Sequence, residues 1–360
     1  MKILNYLRGE PLAILTIALP LAILAHFGGW GELWVFVLSA LGVIPMARYI
    51  GTATEVLAAY TGPRIGGLLN ATLGNAAELI ITIVAIREGL LELVKASITG
   101  SILGNLLLVL GMSMVLGGMR NSFQKFDQRQ ASNNAILLAL AVIALSIPSL
   151  LSHSIGAENS IEVEAFSLGV AGVMILLYAL GIIFSFQNRQ QEPSGPSRES
   201  EGEGHPAWSI STSVIVLALS TVGVAYLSEL LVGAVEPVVA DLGVSEFFLG
   251  IILIPVVGNV AEHLVAVKMA MQNHMDLSVE ISLASSLQIA LFVAPVLVFV
   301  SLWIGNPLQL IFNQFEILAL VTGVLIAALV SVDGESNWLE GAELLAVYAI
   351  LALAFFLLPV

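Results

Sequence analysis

Apolar residues run through this chain in blocks about the thickness of a bilayer, divided by short polar breaks. Eleven blocks are drawn, at 11–28, 33–60, 64–88, 92–118, 132–152, 163–186, 208–236, 246–273, 277–304, 312–332 and 338–358. In lipid a backbone has no water to bond, so each block is expected to be a helix. The predicted fold class is an all-α polytopic membrane protein with eleven transmembrane helices. Span 2 is longer than a bilayer needs, which predicts a bend or an extension between Arg48 and Tyr60. Span 1, beginning at Pro11, has no evident small-residue cleavage site and is expected to remain as a span. Gln187 to Pro206, rich in Gln, Glu, Ser, Gly and Pro, reads as a flexible linker, with Glu192, Glu199, Glu201 and Glu203 making its second half acidic.

The polar positions inside the blocks are not scattered. Gly74-Asn75-Ala76-Ala77-Glu78 in span 3 returns as Gly258-Asn259-Val260-Ala261-Glu262 in span 8. Aligned without a gap, the same frame sets Ser101 against Ser285 and Leu103 against Leu287. The chain therefore divides into an extra span (1–30), a first repeat (31–186, spans 2–6), the linker (187–207) and a second repeat (208–360, spans 7–11). An odd number of crossings per repeat turns one half upside down relative to the other, the architecture that places transport sites where two halves meet at midplane. Of the 12 Lys and Arg, only Arg87 and Lys95 fall on the far side when the N-terminus is placed in the cytoplasm, so that orientation is expected.

A carboxylate at membrane depth costs roughly 2.5 to 3.5 kcal/mol even on lenient scales, so Glu78 and Glu262 require a reason. Asn75 and Glu78, like Asn259 and Glu262, are three residues apart and share a helix face, where they offer the hard oxygen ligands that calcium prefers. An ionised carboxylate binds metal and a neutral one holds a proton, so the two cargoes compete for the same oxygens. That competition is the chemistry of a cation/proton antiporter. Gly74, Pro255 and Gly258 are expected to loosen the helices and free carbonyls such as those of Ala71 and Pro255. His263, directly after Glu262, fits either a proton relay or a neutral imidazole bonded to a neighbouring helix. Ser101 and Asn105 share one face of span 4, and Ser285 and Gln288 share one face of span 9; each could bind the ion or bridge helices. Glu55, Glu229 and Glu280 fit either an acidic vestibule or ordinary interfacial positions. His26, His153, His205 and His274 lie in or beside loops and read as solvated or capping residues.

Composition narrows the classes further. At 58% hydrophobic and 11% charged residues, a soluble globular protein is excluded. The net charge of -14 fits cation attraction or simply solvated loops. Without cysteine there is neither a thiolate metal site nor a cysteine nucleophile, and no HExxH cluster supports an intramembrane metalloenzyme. A non-enzyme is expected, with no resident cofactor and no nucleic-acid partner.

The stretch TATEVLAAYTGPRIGGLLNATLGNAAELI from Thr52 and KASITGSILGNLLLVLGMSMVLGG up to Gly118 resemble the first repeat of the calcium/proton exchangers of the cation/calcium antiporter superfamily. SELLVGAVEP, SEFFLGIILIPVVGNVAEH and SLASSLQIALFVAPVL resemble the second. The resemblance implies that calcium ions and protons are the cargo, Glu78 and Glu262 their shared carboxylates, and Asn75 and Asn259 neighbouring metal ligands. It also implies a histidine after the second acid, as His263, and a prokaryotic cell membrane as the location. The acidic linker matches the family's in position but is short and broken by Gly and Pro. The sodium/calcium exchangers of the same superfamily, or exchangers of another divalent cation, are the alternative; their repeats are richer in Ser and Thr where this chain has Asn. A cation channel would need a continuous pore, which buried midplane acids do not suit.

Overall fold

The computed structural model describes residues 11–157, 160–188 and 208–358; the expected linker and its acids lie outside the described residues. The chain is a helical membrane protein. Among the described residues eight helices are long and apolar enough to cross a bilayer, and Leu12–Gly28 and Gln314–Val330 form shorter apolar helices.

A 3-10 turn, Pro11–Ile17, leads into α1 (Ala18–Gly28). α2 (Glu32–Leu73) follows, then α3 (Ala76–Arg87), α4 (Leu91–Asn121), α5 (Gln128–Ile155), α6 (Ile161–Asn188) and α7 (Ile210–Gly233). The second half continues with a short α8 (Val235–Leu242), α9 (Glu246–Met271), α10 (Met275–Ile304), α11 (Gln314–Val330) and α12 (Trp338–Leu357). α4 is the most enclosed of the eight long helices, packed by α9, α10, α11 and α12. α2 and α7 pack chiefly on each other. α6 and α12 turn most of their Leu, Ile and Phe side chains outward, the side a bilayer covers.

Two of the expected breaks, near residue 62 and at Gly74, fall where the sequence places them, and the one expected at Gly258 moves. Spans 2 and 3 separate where the sequence draws the break: the helical run of α2 is interrupted at Gly62, a non-helical residue whose φ of 80° a side chain rarely adopts. Span 3 is thus divided between the end of α2 and α3, parted at Gly74-Asn75. In span 8 the helix passes unbroken through Gly258, and the irregularity lies upstream, in a π turn at Leu249–Leu253. Pro255 explains that shift, since it has no N–H to donate back into the preceding turn. Two further π turns occur, Gly104–Val109 in α4, which includes Asn105, and Ile289–Val293 in α10, which follows Gln288.

Span 10 starts late because residues 307–313 form no helix. Leu308, Leu310 and Phe312 alternate into the core, each no more than 4% exposed. The amides of this segment bond to serine hydroxyls instead of a strand: Leu308 to Ser301 at 2.8 Å, Leu310 to Ser167 at 3.1 Å and Phe312 to Ser149 at 2.8 Å. Beyond α4, Gln124–Lys125 pairs antiparallel with Glu335–Ser336, tying the loop before α5 to the loop before α12.

Candidate functional site

The interruption at Gly74-Asn75 restarts a helix and places Glu78 in its first turn, where the positive end of the helix dipole favours a carboxylate. Asn75 stands at the cap position but does not cap; its Nδ2 donates across to Gln288 Oε1 on α10 at 2.7 Å. Glu262 sits mid-helix on α9, beside the same interface.

Four helices are joined there by side-chain bonds. Ser101 on α4 donates to Glu78 Oε1, and Ser285 on α10 donates to Glu262 Oε2 at 2.9 Å, so each acid takes the hydroxyl that its own half supplies. The amides then cross between halves. Asn259 Nδ2 donates to Ser101 at 3.3 Å and to the Pro255 carbonyl at 3.1 Å, and Asn105 Nδ2 donates to Ser285 at 3.0 Å. Pro255's carbonyl is therefore occupied by Asn259, not free as expected from the proline. His263 Nε2 bonds Asn105 Oδ1 at 3.2 Å, which is the helix-bridging role of the two considered for it. Asn105 lies within the π turn of α4, a distortion frequent at functional sites.

All nine sequence-identified residues (Asn75, Glu78, Ser101, Asn105, Asn259, Glu262, His263, Ser285 and Gln288) thus fall in a polar network of three hydrogen-bonded groups, Glu78–Ser101–Asn259, Glu262–Ser285–Asn105–His263 and Asn75–Gln288, brought together where the two motifs pack on each other. Glu78 is 2% exposed. Two oxygens in the network, Glu78 Oε2 and Asn75 Oδ1, are buried without a hydrogen-bond partner. A buried acceptor left unpaired costs about 1 to 3 kcal/mol, and more if charged. Such oxygens call for a proton or a cation. Among the described residues no group of three or more His, Cys, Asp or Glu is placed to hold a metal ion, so neutral oxygens would have to complete any coordination by the acid pair.

Glu262, but not Glu78, borders a cavity of ≈ 490 Å³ that also reaches Glu55, Glu280, Arg48 and Gln288. Glu55 and Glu280 therefore line the approach to the site. Glu229 does not: it pairs with Arg87 at 3.1 Å, at the far end of α3. His26 and His274 are exposed at helix ends, His153 lies in the last turn of α5, and His205 is outside the described residues. Arg48 and Asn70 also line the cavity wall, a position that no local sequence signal marks.

Away from the cavity the helices close tightly. A Cβ at Gly100 on α4 would stand 2.0 Å from the Ile251 carbonyl oxygen of α9, and one at Gly250 would stand 2.8 Å from Ala96. Beyond that contact a second cavity of ≈ 330 Å³ opens between Glu92, Lys95, Glu246 and Gln309.

The chain matches the sodium/calcium exchanger protein family over residues 31–187 and 212–357. It is 46% identical to the Ca(2+)/H(+) antiporter of Synechocystis sp., covering 96% of this chain and 97% of that one. It is 43% identical to the Ca(2+)/H(+) antiporter ChaA of Bacillus subtilis, covering 96% of this chain and 98% of the relative. The solved structure of native YfkE superposes with a TM-score of 0.84 at 42% identity, covering 96% of this chain and all of that one.

Proposed function

The chain belongs to the sodium/calcium exchanger protein family, and from that membership and the acid pair Glu78 and Glu262 we propose that it exchanges calcium for protons across a membrane. The observation that carries the reading is Glu78, an enclosed carboxylate with one oxygen held by Ser101 and the other unpartnered beside the unpartnered oxygen of Asn75. Glu78 and Glu262 bind calcium when ionised, with Asn75 and Asn259 as neighbouring ligands, and bind protons when calcium leaves. Ser101 and Ser285 hold the carboxylates in place, and Gln288 orients the Asn75 amide so that its oxygen is left for the ion. His263 and Asn105 join α9 to α4 and keep the two acids in one assembly.

Alternating access supplies the coupling. The cavity at Glu262 supports an open path on one side, and the close contact of Gly100 with Ile251 supports a closed path on the other. We read residues 31–186 and 208–360 as inverted halves of five crossings each, with the third crossing shared by the end of α2 and α3, and α1 as an added span. That gives eleven crossings, a cytoplasmic N-terminus and linker, and a cavity that opens to the cytoplasm. A prokaryotic cell membrane is the location that agrees with the bacterial relatives. No chemical step is needed: cargo moves unchanged, and the protein acts as a carrier, not an enzyme.

The test is calcium uptake into inverted vesicles under an imposed pH gradient, with and without sodium. Uptake driven by the pH gradient and indifferent to sodium is expected. Uptake that needs a sodium gradient would replace protons with sodium in this reading.

A further inference from the structure

A second buried acid lies outside the network. Glu316, in the first turn of α11, is 0% exposed. Its Oε2 accepts the Asn313 backbone N–H at 2.8 Å while the Asn313 side chain accepts the Glu316 N–H at 2.9 Å, a capping box. Capping does not require burial, since the Asn337–Glu340 box opens α12 in the same way with its acid only partly covered. Its other oxygen accepts the Thr99 hydroxyl of α4 at 3.2 Å. Lys95, one turn earlier on the same face of α4, brings a balancing positive charge and is itself paired with Glu92.

Thr99 and Ser101 are two residues apart, and so about 200° apart around a helix. Thr99 faces α11 while Ser101 faces Glu78. On the far side of Ser101 the same two helices meet again, where a Cβ on Gly323 of α11 would stand 2.6 Å from Leu103 of α4. The seat of α4 on α11 thus brackets the serine that holds the acid. We propose that Glu316 is a positioning residue for the transport site: through Thr99 it fixes the rotation of α4 that delivers the Ser101 hydroxyl to Glu78. This rests on the reading of Glu78 as an ion-binding acid. A carboxylate suits the task because it satisfies the helix cap and the cross-helix bond with separate oxygens.

Calcium titration of the purified full chain tests it, with thermal unfolding as the control for the fold. Thr99→Val, which keeps the shape and removes the hydroxyl, is expected to weaken calcium affinity roughly tenfold and to lower the unfolding temperature by a few degrees while leaving the protein folded, because Glu316 Oε1 loses its partner, and Thr99→Ser to restore both. Glu316→Gln, which keeps the size and a capping oxygen, provides a second arm with the same direction of change. In a Ser101→Ala background neither substitution should weaken affinity further, because the effect travels through Ser101. Equal losses with and without Ser101, or unchanged affinity in both Thr99→Val and Glu316→Gln, would overturn the proposal. Calcium binding that survives Glu78→Gln would instead overturn the site reading beneath it, so the two failures are distinguishable.

Discussion

Gly74 lies against the carboxylate of Glu262, where a Cβ would stand 3.8 Å from Oε1, and Gly258 returns the relationship against Glu78, at 3.9 Å from its Cβ. Each acid thus packs on the glycine of the opposite motif. The two glycines are not equivalent, however: a Cβ at Gly74 would also meet the Asn70 carbonyl at 2.7 Å, while nothing closer crowds Gly258. Gly74→Ala should therefore lower stability by about 1 to 3 kcal/mol and weaken calcium binding, whereas Gly258→Ala should stay near wild type. Thermal unfolding and calcium titration of both variants check this, and equal effects would remove the asymmetry.

Glu78→Gln and Glu262→Gln should each abolish exchange while leaving folded protein in the membrane. The amide keeps the shape of the side chain but cannot ionise, so neither half of the exchange can proceed. Vesicle transport together with detergent-extracted yield and monodispersity measures both parts; near wild-type exchange by either variant would remove that acid from the mechanism.

Ser101→Ala should cost more than Ser285→Ala. A hydrogen bond to a charged group contributes about 1.5 to 3 kcal/mol, or roughly 10- to 100-fold in affinity. Glu78 is sealed, so nothing replaces the lost hydroxyl, whereas Glu262 borders a cavity from which water can reach it. Comparison of the two calcium affinities decides the order.

Protons and calcium share the same oxygens in the proposed cycle, which fixes the sign of the pH effect. Raising the pH from about 6 to about 8 removes competing protons, so the apparent calcium dissociation constant should fall. Calorimetry on purified protein across that range is the measurement; a constant that does not move would put the protons elsewhere.

The chain has no cysteine, so single introduced cysteines report cleanly on sidedness. Ala284→Cys on the wall of the larger cavity should react with an impermeant thiol reagent from the side of the linker, and Gln309→Cys from the opposite side. Labelling of both from one side would contradict the assigned orientation.

Much of the site was legible in the sequence because burying a carboxylate is costly enough to be noticed. The repeated Gly-Asn-x-x-Glu frame pointed to Glu78 and Glu262, and helical spacing brought in Ser101, Asn105, Ser285 and Gln288. The partners within that set were not legible. Asn75 bonds Gln288 and Asn105 bonds Ser285, pairings between segments far apart in the chain that spacing along one helix cannot reveal. The π turns were missed for a related reason, since they express how helices settle on one another. Glu316 carried a local signal, the Asn313-x-x-Glu316 cap, but its burial depends on Thr99, remote in sequence. Gly258 misled in the other direction: its small size serves contact with Glu78, and the helix passes through it intact.

The non-helical segment at 307–313 behaves as a strand whose neighbour has been assembled from three separate helices. Ser149 both donates to the Leu310 carbonyl at 3.3 Å and accepts from Phe312, as the backbone of a paired strand would. Side chains on such a segment alternate, so a slip of one residue would turn Leu308, Leu310 and Phe312 out of the core and break their amides from all three serines. Loops ordinarily tolerate insertions, but this connection is held in register by α5, α6 and α10 together. Its length is fixed as strictly as that of any helix it joins.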